Sequence, residues 1–211
     1  MSMRSRQLVA CFGALYLVAM LAVSLAGQVP HRTNEQIKAS YEAHKSDFDY
    51  LLGDWEFTAV NKQYGNMRGY WSAVRLAEGG EIVDEYRIIG DNGETYYSTT
   101  TLRAFNGALD QWELVSVDKG KGLQDFGTGH REGGEMLIEQ KFGVMTPNPS
   151  LWRIRYYDIG ADRFSWSADR SMDGGKTWEK NFQNLEARRI GPPRSIGPLA
   201  PARKPTVAHS P

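Results

Sequence analysis

Ten short segments of alternating polarity, each bounded by turn residues, constrain this chain more than any other feature. They cover residues 55–60, 68–76, 82–89, 95–105, 111–117, 124–131, 136–142, 152–159, 163–171 and 178–186. Period-two alternation marks strands with one buried face, and Gly79-Gly80, Asn92-Gly93, Asn106-Gly107, Gly133-Gly134, Gly160 and Gly174-Gly175 supply the positive φ angles of tight hairpins. No helical pattern interrupts the series, so the strands form an antiparallel meander. A meander of this length must close on itself or leave two open edges, and closure removes both. The sequence therefore predicts an all-β fold, an up-and-down antiparallel β-barrel of about ten strands. With 41% hydrophobic and 24% charged residues, the chain has enough apolar side chain to fill such a core.

The ends are different in kind. Arg4 and Arg6 precede a nearly continuous apolar run, and Ser24-Leu25-Ala26 sets small residues at a cleavage site, so residues 1–26 are expected to be an export signal. The expected destination is the periplasm or the exterior; an uncleaved N-terminal anchor is the alternative, because the apolar run nearly spans a bilayer. Apart from that signal, no membrane contact is expected. Cys11, the only cysteine, lies in this run, which leaves the mature chain without a thiol for disulfides, nucleophilic catalysis or metal binding. Residues 27–47 make a linker and a short helix, with Thr33 or Asn34 as N-cap and Ile37, Tyr41 and His44 on one face. The barrel domain is expected over 48–190. Residues 191–211 hold six of the nine prolines and few apolar side chains, the composition of a disordered tail. Lys plus Arg equals Asp plus Glu at 25 each, so no overall field draws nucleic acid.

Function has to be sought on the inward face. The bulkier member of the alternation assigns Trp55, Phe57 and Ala59 to it, then Tyr70, Ser72 and Val74; on the third and fourth strands the pattern allows either parity, and Asp84, Tyr86 and Ile88 with Tyr96, Ser98 and Thr100 are the preferred sets. Trp112, Leu114 and Ser116 follow, with Phe126, Thr128 and His130, and then Met136, Ile138, Gln140 and Phe142. The last strands add Ile154 and Tyr156, Phe164, Trp166, Ala168 and Arg170, and Trp178 with Phe182. Among these, Tyr86, His130, Gln140, Tyr156, Trp166 and Arg170 are the candidate ligand-binding residues, a few polar groups among aromatic and aliphatic walls. A buried Arg170 would require Asp84, another carboxylate or an anionic ligand, unless it reaches water at the barrel mouth.

Familiar catalytic constellations are missing. There is no GxSxG elbow, and the barrel segment, with one histidine and no cysteine, cannot make a zinc site. No CxxCH motif accompanies His130, and no GxGxxG opens a helix. Neither a metal nor a cofactor is expected. The carboxylate pairs Asp84/Glu85 and Glu132/Glu135 sit at turns or on alternating faces. The stretch SMDGGKTW, 171–178, matches the Asp-box hairpin S-x-D-x-G-x-T-W, but it occurs once, and a six-bladed propeller needs far more chain. Here the box is a turn device in which Asp173 bonds back to the turn amides while the tryptophan packs beneath.

The phrase FDYLLGDWEF at 48–57, followed about a hundred residues on by an F-x-W strand and RSMDGGKTW, resembles an uncharacterised bacterial family of lipocalin-like, calycin-type β-barrels. The resemblance covers roughly 47–188. It implies that Gly53-Asp54-Trp55 enters the barrel as the Gly-x-Trp of lipocalins does, with Trp55 plugging one end, and it carries over no catalytic residue. Haem-binding relatives bear a C-terminal histidine strand that this chain lacks. The reading that follows is an exported barrel binding a small, largely apolar or amphipathic ligand. Its rivals are a calycin-type isomerase, cyclase or lyase, in which His130 or a tyrosine moves a proton, and a solid barrel with an envelope-structural role.

Overall fold

The computed structural model describes residues 31–77 and 79–197. Ten antiparallel strands close a barrel: β1 (Gly53–Asn61), β2 (Gly65–Leu76), β3 (Ile82–Ile89), β4 (Thr95–Asn106), β5 (Gln111–Asp118), β6 (Gly122–Glu132), β7 (Glu135–Phe142), β8 (Ser150–Tyr157), β9 (Arg163–Ser171) and β10 (Glu179–Gly191). Each pairs with its sequence neighbours, and β1 pairs with both β2 and β10, so the ring has no free edge. The expected all-β, lipocalin-like barrel with one short helix is the fold found. A two-residue strand, β11 (Ser195–Ile196), adds in parallel beside Arg75 and Leu76 of β2. Helix α1 (Asn34–His44) starts at Thr33, whose side chain accepts from the Gln36 amide while the Gln36 side chain accepts from the Thr33 amide, a reciprocal cap.

One end of the barrel is plugged. Residues 47–52 cross it, burying Phe48, Leu51 and Leu52 over the lower ring of core residues, Trp55, Trp112 and Phe164. Trp55 is fully buried at this end, as the resemblance implied, and its indole Nε1 donates to the Leu51 carbonyl at 2.8 Å. Arg189 from β10 lies 4.0 Å over the same ring and donates to the carbonyls of Leu52 (2.5 Å) and Tyr50 (3.0 Å). Gly53 is required here: its φ is 107°, and a β-carbon would stand 2.5 Å from the Arg189 guanidinium. α1 flanks this end, with His44 stacked on Phe105 at 5.1 Å. The opposite end is open.

Three strands run with the opposite faces from those expected. On β2 the core takes Trp71 and Ala73, while Tyr70 is exposed. On β4 it takes Thr101 and Arg103, and Tyr96 is exposed. On β6 it takes Asp125, with Gly127 and Gly129 below it, and puts Phe126 and His130 outside. On β6 the inward residues are polar or side-chain-free, so assigning the bulkier set to the core selects the wrong face; on β4 each face mixes an aromatic ring with threonines, so bulk does not decide, and a one-residue slip inverts every side chain. Trp178 is a fourth correction. It precedes β10 and lies outside, under the Arg153 guanidinium at 4.2 Å.

The Asp-box turn forms as expected. Asp173 accepts from the amides of Lys176 (3.0 Å) and Thr177 (2.9 Å) and from the Thr177 hydroxyl (2.7 Å). Those donors hold its carboxyl down at about 2. The first residues assigned to the tail lie along the barrel, where Arg194 makes a two-pronged ion pair with Asp54 beside β11. The expected export signal, residues 1–26, and the rest of the expected tail lie outside the described residues.

Candidate functional site

The open end leads into a cavity of about 980 Å³. Its walls differ. From β3 to β7 the inward side chains are largely polar: Asp84, Thr101, Arg103, Ser116, Asp125 and Gln140. From β8 through β10 to β1 and β2 they are aromatic or aliphatic, including Trp152, Ile154, Trp166, Phe182 and Leu185. The pairing registers make the polar side continuous, because Asp84 stands opposite Thr101, Thr101 opposite Ser116, and Ser116 opposite Asp125.

Two carboxylates are buried on the polar side in different circumstances. Asp84 receives Arg103 Nε at 2.5 Å and the Trp71 indole at 2.8 Å. Burial acts to lower the Arg103 pKa, but Asp84 and the neighbouring tyrosines outweigh it, and the guanidinium stays charged. It also lies 4.8 Å over the Phe48 ring, which fixes it against the floor. Asp125 accepts from the Gln140 amide and adjoins the Ser116 hydroxyl, but among the described residues no cation stands within ion-pair distance of it. Burial therefore raises its carboxyl above the ordinary range.

Of the six expected binding residues, five face the cavity. Tyr86 stacks on Phe57 with ring centroids 4.8 Å apart. Tyr156 lies deep, 2% exposed, its phenol raised to about 12 by burial. Gln140 orients Asp125, and Trp166 forms part of the apolar wall. Arg170 is at the rim, where its guanidinium covers Phe182 at 3.6 Å and pairs with Glu179 at 3.0 Å and Gln63 at 3.1 Å. The partner its burial demanded is thus a carboxylate, but Glu179 and not Asp84. His130 is the exception: its side chain is 62% exposed on the outer face, 3.7 Å from Glu132, so it is no part of the interior.

Sequence reasoning missed Arg103, Asp125 and Tyr97, all three on β4 and β6. One signal was available. Asp84 was placed inward with only Arg170, at a strand end, offered as its cation, and a buried carboxylate calls for one close by; flipping β4 by one residue supplies Arg103.

No protein-family model matches the chain, and no curated protein does. Among solved structures, the one described as "Structure of EF1p2_mFAP2b bound to DFHBI" aligns over 69% of this chain and 98% of that one, at 13% identity and a TM-score of 0.32. A likeness this distant carries no argument about the site.

Proposed function

We propose that this protein is an exported barrel that binds a small, largely apolar molecule in its interior. The observation that carries the reading is the cavity: about 980 Å³, open at one end, with one aromatic wall and one short set of oriented polar groups. Small-molecule sites have that composition, and a volume of this order encloses a drug-sized ligand. Tyr86, Gln140, Tyr156, Trp166 and Arg170 are the contacts retained from the sequence. Residues 1–26 support export on sequence grounds.

The interior favours binding over acid–base catalysis. His130 is turned to solvent, and burial raises the phenols of Tyr86, Tyr97 and Tyr156, which makes them poor proton donors at neutral pH. The test is native mass spectrometry of protein purified from its own host, together with titration of a neutral lipophilic dye. A one-to-one complex is expected, and Ser116→Trp, which fills the space between the walls, abolishes it without unfolding the barrel. A barrel that carries nothing and takes up no dye overturns the reading in favour of a solid structural protein.

A further inference from the structure

One carboxylate deep in the barrel has no ion-pair partner among the described residues. Asp84 is neutralised by Arg103, Asp118 by Lys121 at 3.1 Å, and Arg170 by Glu179. Asp125 is left over. It is 1% exposed, it lines the cavity, and among the described residues its hydrogen-bond partners, Gln140 and Ser116, are neutral, while Arg103 acts on it only through space. An unpaired buried carboxylate is costly and is normally removed by neutralisation or by a partner.

We infer that the interior ligand carries a basic nitrogen, which docks as an ammonium at Asp125 while its apolar body lies against Trp152, Trp166 and Phe182. This rests on the interior-binding reading above and names the chemical class of the ligand. An anionic head group fits less well. It would meet both Asp125 and Asp84, and Arg103, the one deep cation among the described residues, is committed to Asp84. The aromatic groups around Asp125 suit a cation. Phe142 is its neighbour across β6 and β7, and Trp152 packs on Phe142 at 5.0 Å. Gln140 holds the carboxylate oriented without neutralising it, which leaves the charge for the ligand.

The experiment compares three naphthalene probes of matched size by calorimetry with the full mature chain at neutral pH: 2-naphthylethylamine, 2-naphthylethanol and 2-naphthylacetic acid. The amine is expected to bind on the order of tenfold more tightly than the alcohol, with the acid weakest, because the ammonium adds an ion pair to the hydrogen bond that the alcohol also makes to the carboxylate. Asp125→Asn, which keeps the shape and the Gln140 contact, is expected to remove the amine's advantage, lowering the amine's affinity more than the alcohol's. Equal binding of amine and alcohol, a preference for the acid, or an amine advantage that survives Asp125→Asn overturns the inference while leaving interior binding intact. If none of the three probes binds, the interior-binding reading itself fails. The amine-to-alcohol ratio in the unaltered protein decides the matter even if the variant folds poorly.

Discussion

At the scale of single residues, Asp125 sets stability against occupancy. Its carboxyl is raised by burial, so the folded state holds this proton more tightly than the unfolded chain does. The sign follows: with no ligand bound, stability falls as pH rises from the unfolded value near ~3.9 through the higher folded one. Asp125→Asn should therefore be more stable than the parent above about pH 4 and should lose that advantage below it, read as urea midpoints across pH. A parent equally stable at neutral pH would contradict this. Asp173 has the opposite sign. Its carboxyl is held at about 2 by the turn donors, so the stability it lends is present above the unfolded value and is lost as pH falls toward 2. Asp173→Ala should speed hydrogen exchange at the amides of Lys176 and Thr177 at neutral pH and leave the β5–β6 hairpin unaffected. Arg103 is a third case. Arg103→Met leaves Asp84 buried and uncompensated, at an expected cost of about 3–5 kcal/mol in urea unfolding, whereas adding Asp84→Asn should restore most of it.

At the scale of elements, legibility in the sequence followed the chemistry of the inward face. β1, β5, β7, β8 and β9 present tryptophan, phenylalanine, leucine or isoleucine to the core, and alternation read them correctly. β6 presents aspartate and glycine instead, and the same rule inverted it, while β4 offers an aromatic ring on either face and left the choice open. Two of the three inverted strands carry Arg103 and Asp125, because a wall built to hold polar groups cannot announce itself by hydrophobicity; β2 carries neither. Arg189 was invisible for another reason: its partners are backbone carbonyls, two in the 47–52 plug and one at Ala161, which no side-chain pattern encodes. Arg189→Ala should cost about 2–4 kcal/mol by stripping charge-assisted bonds from the Leu52 and Tyr50 carbonyls. Arg189→Lys should recover little, since an ammonium cannot lie flat on Trp55 and reach both oxygens. Chemical unfolding of both variants checks this.

For the whole molecule, the meander, its closure and the single helix were all legible, because Gly-bearing turns and the absence of helical periodicity leave few alternatives. The ends of the chain were legible only in composition. If residues 1–26 are an export signal, the protein recovered from its host should begin at Gly27, and N-terminal sequencing checks it; a start at Met1 would mean an anchor retained.

Both described ends of the chain are fastened at the plugged end of the barrel: the segment leading into Gly53 crosses it, and Arg194 with β11 binds Asp54 and the last residues of β2. The opening is therefore at the far pole from residues 31 and 197. A fusion or tether joined at either of those residues would attach at the pole away from the mouth and leave the entrance clear.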